Sequence, residues 1–172
     1  MNDLSLYLLA AQGLLGAVDT LLNHELIAKL PRRLEARAEL RLHVARECVY
    51  GTLFLGLAWF AWHGAWAALI AALLGAEVLI TAVDEWIENR TRVLPQNERV
   101  LHVLLTLNLG LLIAALAPTL WRWSAEPPAI VSATHGPFTG VLTVLGCAAL
   151  IWAVRDTWAV AQLRRAMPYP DD

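Results

Sequence analysis

The stretch AEVLITAVDEWIENRTRVLPQNERVLH, residues 76–102, decides how this chain is read. It lies between two long apolar runs, yet it holds Glu77, Asp84, Glu85, Glu88, Glu98 and His102. At about 100° per residue, Asp84 and Glu88 each fall within about 20° of Glu77, so three carboxylates line one stripe of one helix. Glu98 and His102 stand one turn apart at the start of the next helix. Ionisable groups inside an apolar helix pair are costly unless something compensates them. The compensating agent expected here is metal.

Composition frames that expectation. The 172 residues are 58% hydrophobic and only 16% charged, against roughly 25% charged in an average soluble domain. Mean hydropathy is +0.53. An all-α integral membrane protein is expected, with the lipid bilayer as its first partner and no nucleic acid among its partners; the placement of charge is more informative here than the net charge of -2. Cys48 and Cys147 lie inside apolar runs, where they read as small core residues and not as a disulfide pair. The opening MNDLSLYLL lacks a basic n-region, so no cleaved leader is expected.

Outward from the opening stretch, the apolar runs divide the chain into five transmembrane helices in a single domain, residues 1–172. The spans run over residues 4–28, 34–62, 65–90, 97–120 and 138–163, each near the roughly 20 residues a bilayer requires. Pro31 ends the first, a His63-Gly64 turn separates the second from the third, and LPQ at residues 94–96 separates the third from the fourth. Residues 121–137 read as a polar loop flanked by Trp, and a short acidic tail follows Arg165. Every Lys and Arg except Arg122 falls in the segments between spans one and two, between three and four, or at the end of five. The positive-inside rule then predicts the N-terminus outside and the C-terminus cytoplasmic.

That topology brings four helix ends to one face. Asp19, His24 and Glu25 end span one; Glu39, His43 and Glu47 enter span two at i, i+4, i+8; Glu77, Asp84 and Glu88 leave span three; Glu98 and His102 enter span four. His63 and His135 belong to the opposite side. Carboxylates and imidazoles on facing helices of a four-helix bundle are the ligand set of di-iron and di-manganese sites. Four of the five helices are therefore expected to form a bundle around a cytoplasmic-side polar or metal site. Its expected metal ligands are Asp19, His24, His43, Glu47, Asp84, Glu88, Glu98 and His102. The spacing is Glu-x-x-x-His at both Glu39/His43 and Glu98/His102, not the Glu-x-x-His of ferritin-like proteins.

Glu77 lies about 16 Å from Glu88 along one helix, too far for both to serve metals about 3.5–4 Å apart. It is expected to act in catalysis, handling protons or closing the polar end of a substrate cavity. Glu39, between Arg37 and Arg41, is expected on a solvated face; Glu25 and Glu85 are expected to face outward or to pair with Arg, and Asp156 to pair with Arg155.

The block RTRVLPQNERVLH, with the upstream LRLHVARE and the segment WFAWHGAW, resembles a group of small uncharacterised bacterial multi-spanning membrane proteins that carry an R-TR-x-LP-x-x-ER-x-LH string. The resemblance covers nearly the whole chain and implies the multi-spanning fold. An acidic residue is expected in that block where this chain has Asn89, so no ligand is placed there.

The function expected from these readings is a membrane-embedded dinuclear metalloenzyme. It would be a di-iron oxidoreductase of hydroxylase, desaturase or oxidase type, holding two divalent ions, Fe before Mn or Zn. Its substrate would be lipid-like or apolar, with a cytosolic electron donor and room for a homo-oligomer. The alternatives are a zinc-dependent membrane hydrolase, a b-haem electron-transfer protein with haem between His43 and His102, a proton- or cation-binding transporter, and a scaffold whose charges merely pair.

Overall fold

A computed structural model describes residues 1–165; the acidic tail expected after Arg165 lies outside the described residues. The chain is all-α apart from two short strands. In order it forms α1 (Asp3–Val18), a π-helical continuation of α1 (Asp19–Ala28), α2 (Arg37–Trp59), β1 (Phe60–His63), α3 (Trp66–Thr91), α4 (Gln96–Ser124), β2 (Ala129–Ser132) and α5 (Pro137–Arg165). Asn2 caps α1, its side chain accepting from the Ser5 amide at 2.8 Å. The first helix ends where Lys29 turns left-handed at φ 53°, and Pro31 sits in the single 3-10 turn that follows.

Four helices are long and apolar enough to cross a membrane: the first helix with its continuation, α3, α4 and α5. The second differs because its first half carries Arg37, Glu39, Arg41, Arg46 and Glu47. At one end the interior of the molecule is charged, while its outer surface is apolar. Glu77, Asp84 and Glu88 are at most 2% exposed, whereas Leu79 and Val144 are 68% exposed and Val154 73%, the inverse of a soluble core and suited to lipid.

The helices close a ring. Going round it, α1 packs on α4, α4 on α3, α3 on α2, α2 on α5, and α5 back on α1. The fifth helix is thus part of the enclosure and not an addition to a four-helix bundle. At one end the ring is filled by apolar side chains, with Leu9, Leu53, Leu57, Ile70, Leu112, Leu116 and Leu142 essentially buried. Charged residues collect at the other end. Gly146 of α5 lets α2 approach closely, since a Cβ there would sit 2.7 Å from Leu55 Cγ and 3.2 Å from the Leu55 amide nitrogen.

Two expectations need correcting. Residues 121–137 are not simply a polar loop: α4 runs on to Ser124, and β2 pairs antiparallel with β1 in the register Phe60↔Ser132 to His63↔Ala129. Strand pairing satisfies backbone groups that would otherwise lack partners at an apolar boundary. Cys48 and Cys147 are not core residues either; both thiols are free and exposed on the outer surface of the bundle. Each falls on the outward stripe of its helix.

Gly64 joins β1 to α3 with φ 61°, and a Cβ on it would lie 2.6 Å from Pro128 Cα. Gly64→Ala is expected to lower stability by about 1–3 kcal/mol from backbone strain alone, with the contact to Pro128 adding to it. The check is the midpoint of thermal unfolding in detergent.

Candidate metal centre

The π-helical continuation of α1 builds the first wall of the polar end. In an α-helix, residues five apart point about 140° from each other. Bonding from i to i+5 instead brings residues four and five apart onto one face. Asp19, Asn23, His24 and Ala28 are accordingly the buried positions of this segment. Asn23 donates to Asp19 Oδ1 at 2.7 Å and accepts from Asn97 Nδ2 at 2.8 Å, which ties the segment to the start of α4.

Three histidines meet there. His24 Nε2 lies 3.5 Å from Asp19 Oδ2 and 3.4 Å from Glu98 Oε1. His102 Nε2 is 3.4 Å from the same Asp19 oxygen, and its Nδ1 is 3.4 Å from Glu88 Oε2 and 3.7 Å from Glu85 Oε2. His43 packs edge-on against His24 with ring centroids 4.2 Å apart, its Nε2 3.7 Å from Asp84 Oδ2. The Nε2 atoms of all three, with Glu88 Oε2, are buried without a hydrogen-bond partner.

These separations suit a metal better than a hydrogen bond. Donors held about 2.0–2.2 Å from one tetrahedral ion stand about 3.4 Å from each other, whereas N–H···O bonds cluster near 2.9–3.0 Å. In two groups of four residues, Asp19/His24/Glu98/His102 and His24/Glu39/His43/Glu88, the donor atoms lie within 4.8 Å of one another, near enough that each group could hold a metal ion. His24 belongs to both. A third group, Glu85/Glu88/His102, touches each of them. The side chains gathered here could hold a metal ion, and all the donors are nitrogen or oxygen.

Two guanidiniums complete the centre. Arg92, in the connection between α3 and α4, donates to Glu39 at 2.8 Å, to Glu88 at 3.1 Å and to Glu98 at 2.6 and 2.8 Å. Burial opposes its charge, but the hydrogen bonds to Glu98 and Glu39 outweigh burial and push the guanidinium above its ordinary range. Arg46 holds Glu77 Oε1 at 3.0 Å and Asp84 Oδ2 at 2.9 Å. Among the described residues, five buried carboxylates (Glu39, Glu77, Asp84, Glu88, Glu98) pair with these two guanidiniums, while buried Asp19 faces His24 and His102.

No protein-family model, curated protein or solved structure matches this chain.

Of the eight expected ligands, Asp19, His24, His43, Glu88, Glu98 and His102 fall within the donor groups. Asp84 and Glu47 do not. Asp84 is engaged by Arg46, and Glu47 lines the adjacent cavity with Oε2 buried and unpartnered. Glu39 is the main residue missed: it is 1% exposed and held by Arg92, not solvated among Arg37 and Arg41. The signal was its position one turn before His43, on the same helix face. Glu85 is 55% exposed at its side chain, as an outward-facing residue should be, yet one oxygen reaches His102. Glu25 pairs with Arg155, and Arg155 with Asp156 at 2.9 Å. At the far end His63 Nδ1 lies 2.7 Å from Glu126 and His135 Nε2 lies 3.1 Å from the Leu57 carbonyl, well away from the cluster.

A cavity of about 190 Å³ adjoins the cluster, lined by His43, Glu88 and His102 at one end and by Gln12, Tyr50 and Glu77 towards the middle of the ring. α5 supplies Ala148, Ala149 and Trp152 to its wall and no residue to the donor groups.

Proposed function

We propose that this protein is a membrane-embedded dinuclear metalloenzyme, an oxidoreductase of di-iron type acting on a membrane-dissolved substrate. The observation that carries the reading is the pair of buried four-donor groups sharing His24, with the three imidazole Nε2 atoms unpartnered. A set of carboxylates and imidazoles without thiolate favours iron or manganese, and two such ions supply reversible one-electron steps and activation of oxygen. The chain's own residues hold the ions, neutralise their charge and exclude bulk water, while Glu77 at the deep end of the cavity is positioned to exchange protons with substrate.

In this reading all five helices cross the bacterial inner membrane. The N-terminus is outside, and the polar end faces the cytoplasm, where an electron donor can reach it. The haem alternative is weakened by the cavity, whose 190 Å³ falls below the roughly 300–1,000 Å³ that enclose ligands of drug size. One competing reading has direct support: Arg92 already contacts three carboxylates, as a purely structural ion-pair cluster requires.

Elemental analysis of protein purified without added metal separates the two. Two ions per chain are expected, with a lowered unfolding midpoint in chelator. Less than about one ion per two chains, with stability unchanged by chelator, would leave the ion-pair cluster as the better reading.

A further inference from the structure

The cavity beside the cluster has a chemistry of its own. Ala17, Leu21 and Ala148 line it and are exposed on the outer surface of the bundle, so it opens sideways to lipid. Phe54, Leu105 and Leu109 give it apolar walls. Its deep end is polar. Glu77, 2% exposed, accepts from Arg46 and Thr81 on Oε1, while Oε2 is buried without a partner. Beside it, and facing Glu77, the Tyr50 hydroxyl accepts from Gln12 at 2.8 Å, and Gln12 accepts from Asn108 at 2.6 Å. A buried oxygen left unsatisfied in an apolar channel is costly; a ligand group that donates to it removes the cost.

The sign of the wall restricts what that group can be. Asp19, Glu47, Glu77, Asp84 and Glu88 all line the cavity, and the nearest guanidinium, Arg46, is committed to Glu77 and Asp84. At the Glu77 end, away from the residues assigned to metal, an anionic head group would meet Glu47, Glu77 and Asp84 without a free cation. Size restricts it further, since an apolar cavity of about 150 Å³ holds one benzene ring. We infer that the cavity binds the head of a neutral, hydroxyl-bearing amphiphile, a single ring or its equivalent, with the hydroxyl donating to Glu77 and the apolar tail leaving sideways past Leu21 and Ala148. The inference deepens the proposed enzyme by naming the chemistry of its substrate and rests on that reading only for the claim that the ligand is a substrate.

The test uses full-length protein in nanodiscs, titrated by calorimetry with 4-octylphenol, 4-octylbenzoate and octylbenzene against protein-free nanodiscs. The phenol is expected to bind saturably at one per chain, with the benzoate and the hydrocarbon at least about tenfold weaker. Glu77→Gln keeps an oxygen on Arg46 but turns an amide donor to the cavity, and should weaken the phenol about tenfold while leaving octylbenzene unchanged. Gly16 lines the cavity, and a Cβ there meets nothing within 4 Å. Gly16→Leu should therefore fill the space, abolish phenol binding and leave metal content intact.

Equal binding of benzoate and phenol, unaltered phenol binding in both variants, or no saturable binding would each overturn the inference. Metal content measured on the same samples separates the two claims. Absent binding with two ions per chain sinks the ligand assignment alone, and selective phenol binding without metal supports the ligand site while sinking the enzyme.

Discussion

Replacing His24 with alanine is expected to remove at least one metal ion, because both four-donor groups draw on its single ligating nitrogen. Each four-donor group loses one of its two histidines in this variant, because His24 is the residue they share. The remaining donors of the first group are Asp19, Glu98 and His102; those of the second are Glu39, His43 and Glu88. Neither trio recovers an imidazole from elsewhere, since His63 and His135 lie at the opposite end of the ring. Content should fall from about two ions to about one or fewer per chain, with His43→Ala and Glu39→Ala, each touching one group, retaining at least about one. Elemental analysis on monodisperse protein of unchanged helix content reads the result. Two ions retained in His24→Ala would mean that these groups do not hold the metal.

Arg92→Met is expected to be the most destabilising single change in protein stripped of metal. It leaves Glu39, Glu88 and Glu98, all buried, without the cation that now donates to each. Removing one partner from a buried charge cluster costs about 3–5 kcal/mol, because uncompensated charge remains in a low-dielectric site. A metal centre changes the sequel: divalent ions neutralise the same carboxylates, so adding Fe²⁺ or Mn²⁺ should restore most of the loss, and the variant should bind metal more tightly than the parent. Thermal unfolding of both proteins in chelator and in excess metal checks this. If Arg92 is only the hub of an ion-pair cluster, metal brings no recovery.

The membrane character was legible residue by residue. Runs such as residues 65–83 and 100–121 carry almost no charge, and hydropathy is a local, additive property that needs no knowledge of packing. The convergence of four helix ends was legible too, because alternating spans bring the ends around residues 19–24, 39–47, 84–88 and 98–102 to one side. The choice among the carboxylates was not. Glu39 and Glu47 stand at the same helical spacing from His43, yet Glu39 enters a donor group because the Arg92 connection folds over the start of α2, while Glu47 turns to the cavity. Asp84 and Glu88 share a stripe, yet Arg46 claims the first and leaves Glu88 beside His102.

By itself, then, the sequence determined a helical membrane protein, the separation of a charged end from an apolar one, and the residue types at the charged end. The tertiary structure decided which donors meet. His24 faces Asp19 only because the first helix widens into a π-helix, a change in winding with no strong propensity signal. Donor geometry depends on how each helix is rotated about its axis, and that rotation is set by packing around the whole ring, including the fifth helix and the strand pair at the far end, and not by any window of residues.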